Sequence, residues 1–378
     1  MAGAADVRVL DMQLRDFRTY ERAVASLGPG LTVVHGPNGA GKSNLLEALY
    51  FGCTGRSPRT RNERELIRFG AQAARVVVRC SDRDQQHELS VAYGAGPDGE
   101  RGVKRMTADG ASVERLLELD FRPLLGVFEP DRLELLKGPP SVRRAHLDQV
   151  VAGIWPLRAS DRREYSRVLA QRNALLARIR SGRASDATLG AWDRELALAA
   201  LAVRDHRAAA VELLSQLFSD RAELLGLNGT AALQYRPRSQ AADVDQFAAE
   251  LRARLPSDLE RGFTGHGPHR DELAILRDGR ELRLYGSQGE QRLALLALLL
   301  AERTVLARVR RRTPLMLLDD VMSELDADRR ELLARELRSS GQSVIATTDL
   351  AHVPGACDGA VTRLRVSPGA ILQEALAA

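Results

Sequence analysis

One octapeptide constrains this chain more than its length does. Gly36-Pro37-Asn38-Gly39-Ala40-Gly41-Lys42-Ser43 has the spacing GxxxxGK[ST]. It follows the apolar, β-branched run Leu31-Thr32-Val33-Val34-His35 and precedes a helical pattern through Leu45, Leu46, Ala48 and Leu49. Strand, loop and helix in that order predict a phosphate cradle. Its glycines let backbone N–H groups curl around a phosphate, and the helix N-terminus adds the positive end of its dipole. Lys42 is placed to reach the β- and γ-phosphates, and the Ser43 hydroxyl to ligate Mg²⁺.

Such a cradle needs an acidic partner for the metal, and Leu315-Met316-Leu317-Leu318-Asp319-Asp320 supplies one at the end of an apolar run. Asp319 is the candidate Mg²⁺ ligand, directly or through water. Asp320 would stand beside the γ-phosphate and orient or deprotonate the attacking water. Ser43 and Asp319 are 276 residues apart. Small GTPases and simple kinases do not space these elements so widely; a head divided by an insertion does.

The texture of the chain fits that division. Alternation in Arg75–Tyr93 predicts antiparallel strands, with turn formers at Gly94-Ala95-Gly96-Pro97-Asp98-Gly99. From about Ser141 to Leu255 strand signals vanish. Two helical patterns replace them, about Asp161–Arg180 and Leu189–Leu225, broken by Ser181-Gly182-Arg183. Tyr165, Val168, Leu169, Leu176 and Ile179 share one face of the first, and the short break predicts antiparallel packing. Beyond Leu255 the strand candidates Glu272–Leu276, Leu315–Leu318 and Ser343–Thr347 alternate with a helix from Gln288. The expected architecture is an α/β phosphate-loop head, a mixed sheet with flanking helices and an antiparallel β subdomain, interrupted by an all-helical lobe. Its expected parts are residues 1–130, 131–255 and 256–378.

Composition narrows the class further. At roughly 150 residues per domain, 378 residues suggest two to three domains. The longest apolar run, Leu293–Ala301, falls short of the roughly 18 to 20 residues that cross a membrane. The opening MAGAADVRVLDMQLRD lacks the basic-then-apolar pattern of a signal peptide, so a cytoplasmic protein is expected. Among 55 basic residues against 50 acidic ones, only Lys42, Lys104 and Lys137 are lysine. Arginine-favouring codon usage would spread such residues regardless of function, and guanidinium groups also grip phosphates; composition leaves both readings open. Cys53, Cys80 and Cys357 form no CxxC pair and are expected as reduced thiols.

Further motifs carry a resemblance. Tyr285-Gly286-Ser287-Gln288-Gly289-Glu290-Gln291-Arg292, before a long apolar helix, resembles the signature motif of ABC-type ATPases. Ser323-Glu324-Leu325-Asp326 resembles their D-loop. The resemblance implies an ABC-type head that closes as a two-fold dimer around two ATP molecules, with Ser287 contacting the γ-phosphate held by the opposite subunit.

Within that class the chain resembles the RecF family of bacterial recombination mediators. The likeness runs through Leu14–Tyr20, Asn38–Ala48, Arg56–Thr60, Glu65–Gly70, Val127–Pro130, Leu133–Leu135, Arg143–Arg144 with Leu147–Asp148, Gly267–Asp271 and Asp319–Asp326. It implies binding to single-stranded, gapped and duplex DNA, and help in loading RecA together with RecR and RecO. DNA repair, replication restart and SOS induction are the implied roles, with a DNA-stimulated ATPase and neither nuclease nor helicase activity. The basic clusters Arg56, Arg59, Arg61, Arg64, Arg68 and Arg162, Arg163, Arg167, Arg172 are then candidate DNA surfaces. Foremost are Arg56, Arg59 and Arg61.

The sequence departs from the pattern in places. Pro58 stands where the family often has histidine, no histidine occurs at Thr347-Thr348-Asp349, and Asp320 replaces the longer glutamate of transporters. The last two changes predict slow hydrolysis, with ATP acting as clamp and timer. His266 and His269 have no cysteine nearby to complete a zinc site; the GPHRD block is expected to shape the head near the nucleotide. A transporter's ATP-binding subunit would ordinarily lack the helical lobe, and a chromosome-structure protein of the SMC kind would carry a far longer coiled coil.

Overall fold

The computed structural model describes residues 7–83, 85–95, 102–129, 133–339 and 341–374. The chain forms two compact units, residues 1–131 with 306–378, and residues 132–305.

The first unit holds two six-stranded sheets. One is the antiparallel series β2 (Tyr20–Ser26), β1 (Arg8–Phe17), β4 (Ala73–Asp82), β5 (Gln85–Ala95), β6 (Gly102–Ala108) and β7 (Ala111–Ser112). Arg75 pairs with Ala92 and Val78 with Leu89, which is the hairpin expected from the alternating residues. Residues 96–99 of the expected turn lie outside the described residues. The other sheet involves β3 (Leu31–His35), β8 (Leu125–Phe128), β12 (Leu315–Asp319), β13 (Ser343–Thr347), β14 (Thr362–Ser367) and β15 (Ala370–Gln373). Its order is β15-β14-β3-β13-β12-β8, parallel throughout except for β14 with β15. Strands β12 and β13 are buried at every position, as runs that are apolar on both faces require.

Helix α1 (Lys42–Thr54) is buried over most of its surface and shares one apolar cluster with both sheets, including Leu49, Phe51, Val76 and Leu317. Burying a side chain such as Phe51 contributes about 1.5–3 kcal/mol. Gly52 permits the close approach of α1 to β4, because a Cβ there would meet Val78 Cγ2 at 2.5 Å. After β12 the chain forms α10 (Ala327–Ser339).

The second unit opens with α2 (Glu134–Lys137), α3 (Pro140–Ile154), α4 (Ala159–Arg180) and α5 (Leu189–Leu224). Arg172 meets Asp193 and Arg167 meets Glu195, so α4 and α5 run antiparallel. Tyr165, Val168 and Leu176 are buried, whereas Leu169 and Ile179 are half-buried. The break between the helices is a turn with Gly182 at φ +69°.

The expectation of a strand-free middle needs correction. Strand β9 (Ala231–Arg236) lies there, followed by α6 (Val244–Ala253) and α7 (Leu255–Arg261). It pairs along its length with β10 (Glu272–Arg277), which is joined on its other edge by β11 (Arg280–Glu281). Next come α8 (Leu282–Tyr285) and α9 (Gln288–Arg310). This unit therefore runs to Val305, beyond the boundary at 255/256 expected from the sequence. The reason is long-range pairing. Besides β9 with β10, Arg143 grips Glu272 through two hydrogen bonds of 2.7 and 2.9 Å, and His146 meets Glu302 at 2.6 Å. The expected boundary at 130/131 lies outside the described residues.

Candidate nucleotide site

The phosphate loop inherits its position from sheet register. In the parallel set β3, β13 and β12, His35 pairs with Thr347, and Ala346 with Asp319. The carboxyl ends of the three strands lie level, which is where ligands bind on open α/β sheets. Three segments leave that edge together: Gly36–Gly41, Asp320 onward, and Thr348–Asp349.

Glycines fix the loop's path. Gly36 has φ +154°, and a Cβ there would lie 2.2 Å from the Val366 carbonyl oxygen. Gly41 has φ +115°, where a Cβ would lie 2.8 Å from Tyr20 Oη. The Tyr20 hydroxyl donates to the Gly41 carbonyl at 2.9 Å, and burial pushes its phenol pKa up, so it remains a donor. Helix α1 then starts with neither a side-chain cap nor an acid in its first turn. Its leading N–H groups are thus available to an anion.

Lys42 is 7% exposed, and its Nζ donates to the carbonyls of Gly36 at 2.9 Å and Pro37 at 3.0 Å. Burial lowers its pKa, while Asp320 and Asp319 oppose that shift. Asp319 is buried as well. Desolvation raises its pKa, while the neighbouring Ser43 hydroxyl and the charges of Arg59 and Lys42 pull it back. Ser43 and Asp319 are thus brought together, and their oxygens form a donor set suited to Mg²⁺. Asp320 sits in the left-handed region at φ +51°, with its N–H bonded to Ala346 O at 3.0 Å. Its Oδ1 is buried without a hydrogen-bond partner. A non-glycine residue held in this conformation is strained by about 1–3 kcal/mol, a pattern that concentrates at functional sites.

Behind the loop lies a network that the sequence reading missed. Glu47, fully buried within α1, accepts from Arg18 Nη2 at 2.7 Å and Nε at 2.9 Å, Ser57 Oγ at 2.6 Å and Arg59 Nη1 at 3.3 Å. Arg59 also donates to Asn44 Oδ1 at 3.1 Å. The available signal was a glutamate amid the apolar residues of Asn44–Ala48.

The other candidate residues separate clearly. Ser287 lies in the second unit at the start of α9, where it and Glu290 cap reciprocally. Ser287 N–H donates to Glu290 Oε2 at 2.8 Å, and Glu290 N–H to Ser287 Oγ at 3.3 Å. The other Glu290 oxygen binds Arg277. Arg56 and Arg61 are exposed without ion-pair partners among the described residues, while Arg68 is held by Asp16 at 2.8 Å.

In the second basic cluster Arg162 pairs with Asp148 and Arg167 with Glu164. Arg172 is not a surface residue. Fully buried, it donates to Asp193 and Asp258 at 2.8 Å and to Thr264 Oγ1 at 2.7 Å.

The GPHRD block makes its hydrogen bonds within the second unit. His269 Nε2 donates to Thr264 O at 2.9 Å, so Nδ1 accepts from the Tyr165 hydroxyl at 2.6 Å. Burial lowers its pKa to about 4. His266 contacts Glu250, and no metal-binding cluster of His, Cys, Asp or Glu occurs among the described residues. Cys53 and Cys80 are buried free thiols. No helix of the described residues is long and apolar enough to cross a membrane.

Comparison with known proteins gives a consistent result. Residues 8–361 match the family described as RecF/RecN/SMC N terminal domain. The chain is 38% identical over 362 residues to the DNA replication and repair protein RecF of Myxococcus xanthus, covering 93% of each chain. It superposes on a solved structure of the recombination mediator protein RecF with ATP, in the RecFOR pathway, with TM-score 0.86, 26% identity and 98% of both chains covered. An Smc head bound to the C-winged helix domain of ScpA has the same fold, with TM-score 0.59 at 18% identity and coverage of 97% of this chain and 98% of that one.

Proposed function

The chain belongs to the RecF family, and on that premise we propose that it is an ATP-switched recombination mediator that binds DNA as a dimer. It works in DNA replication and repair and binds ATP. The observation that carries the reading is the register of β3, β13 and β12, which brings the phosphate loop and Asp319 to one sheet edge, with Ser43 and Lys42 acting on the Asp319 carboxyl.

The loop N–H groups and the start of α1 hold the triphosphate, and Lys42 exchanges its two loop carbonyls for β- and γ-phosphate oxygens. Ser43 and Asp319 would hold Mg²⁺, which neutralises phosphate charge when bound. Asp320, whose Oδ1 has no protein partner, orients a water whose oxygen attacks the γ-phosphorus. The bond to the β–γ bridging oxygen breaks, its electron pair leaves with ADP, and the water's proton passes to Asp320 or solvent. With a short carboxylate and no histidine at Thr347-Thr348-Asp349, hydrolysis is slow and serves as a release timer.

Ser287, presented by its cap at the helix start, reaches the nucleotide of a second copy in the ATP-bound dimer. DNA binds at exposed arginines, Arg56 and Arg61 first, and stimulates hydrolysis without strand cleavage or unwinding. RecR and RecO act with the protein in delivering RecA, in the cytoplasm. Sedimentation with and without ATP and DNA tests the switch. The native chain should dimerise only with ATP, and Lys42→Met and Ser287→Arg should both abolish this; a dimer indifferent to nucleotide would sink the reading.

A further inference from the structure

Phe69 is 99% exposed, the most exposed of the large apolar side chains described. The backbone beneath it is firmly built. Ala71 N–H bonds to Arg68 O at 2.9 Å, and Gly70 takes φ +84°, the third position of a type II turn. The base of the turn is tied to the first hairpin by Arg68 N–H to Asp16 O at 2.8 Å and Arg18 N–H to Leu66 O at 2.7 Å. A bridge between Ile67 and Phe17 and the Arg68–Asp16 ion pair complete the anchorage. Folding gains nothing from an aromatic ring at this crest, yet the turn presents one at little cost in entropy.

The makeup of the segment selects the occupant. Residues 56–70 carry five arginines against Glu63 and Glu65, and Arg56 and Arg61 keep exposed guanidinium groups. Phe69 has no exposed apolar companion in that segment, since Leu66 is buried and Ile67 half-buried. A protein interface needs a wider apolar centre. A lone exposed ring in an arginine-rich segment suits a single strand, whose bases stack on aromatic faces while arginines track its phosphates.

We propose that Phe69 stacks an unpaired base of single-stranded DNA, with Arg56 and Arg61 holding neighbouring phosphates, so that this turn distinguishes gapped from continuous duplex. The proposal rests on the DNA-binding reading above and deepens it. Bases within a duplex are already stacked, so continuous duplex gains nothing from the ring.

The test uses the full chain and its Phe69→Ala and Phe69→Trp variants. Fluorescence anisotropy measures binding to a labelled single strand, a gapped duplex and a continuous duplex at several salt concentrations. Phe69→Ala should weaken binding to the first two by about 5- to 100-fold, with an unchanged salt slope and unchanged duplex affinity. Phe69→Trp should keep the preference, and its indole emission should be quenched by the single strand. Wild-type affinity of the alanine variant for all three, as a protein-docking role for Phe69 would give, overturns the proposal. Equal loss on all three, or no quenching in the tryptophan variant, also overturns it. Failure of the native chain to bind any DNA would instead remove the DNA reading, and this proposal with it.

Discussion

Ser43, in the first turn of α1, lies beside the Asp319 carboxyl, 276 residues away in the sequence, and lowers its pKa against the rise that burial imposes. The phosphate loop and the acidic strand end therefore act as one site, and the two aspartates beside Lys42 have separable duties. Asp319→Asn should weaken Mg²⁺-dependent ATP binding. Asp320→Asn should bind ATP nearly normally but hydrolyse it about 10²- to 10⁴-fold more slowly. Titration with a fluorescent ATP analogue, read beside phosphate release, separates the two, and an Asp320→Asn protein hydrolysing at the native rate would exclude it as the water-orienting group.

Arg59 should differ from its neighbours Arg56 and Arg61. Reversing the charge of Arg56 and Arg61 together should weaken all DNA binding and flatten its salt dependence by about one unit of slope per lost contact, with ATP affinity unchanged. Reversing Arg59 removes a partner of the buried Glu47 and a charge acting on Asp319, so ATP affinity should fall too. Equal ATP affinity in the two variants would contradict this distinction.

Glu290 should matter to the start of α9. Glu290→Ala removes the acceptor of the Ser287 N–H and the partner of Arg277, costing about 1 kcal/mol. Amide exchange in the first turn of α9 should accelerate several-fold, and ATP-dependent dimerisation should weaken. Glu290→Gln retains the reciprocal cap and should exchange more slowly than the alanine variant. Indistinguishable exchange in all three proteins would show that the cap does not order this segment.

His269 gives the second unit a pH dependence. Its pKa falls from an ordinary 6.5 to about 4 on folding, so between those values the unfolded chain binds more protons. Stability is then fully present above about pH 6.5 and declines as pH falls toward 4, by up to about 3 kcal/mol. Burial lowers the His266 pKa in the same sense. Trp155 and Trp192, the chain's two tryptophans, both lie in this unit, so urea unfolding followed by their fluorescence reports on it. The native protein should lose stability from pH 7 to pH 5, and His269→Asn less steeply; equal slopes would assign the dependence to other groups.

Local patterns were readable in the sequence. The phosphate loop declares itself through glycine spacing between a strand and a helix, β12 and β13 through apolarity on both faces, and α4 and α5 through periodicity around a glycine break. Residues whose roles depend on distant partners were not readable. Strand β9, with its small and polar residues, becomes a strand because β10 pairs with it. Arg172 stands among a surface-like arginine series, yet its partners Asp193, Asp258 and Thr264 are 21, 86 and 92 residues away. Glu47 resembles a solvated helix position until Arg18, from the β1–β2 turn, closes on it.

The sheet order also sets a timetable for synthesis. Among the described residues strand β3, which feeds the phosphate loop, pairs only with β13 and β14, both encoded far downstream of it. About 310 further residues must follow Leu31 before its first strand partner arrives, roughly 15 to 60 s at bacterial elongation rates. Throughout that interval an apolar strand and the helix behind it wait without their sheet. A ribosome that stalls inside the second unit therefore leaves a product that cannot assemble the nucleotide site and displays an unpaired strand to chaperones and proteases.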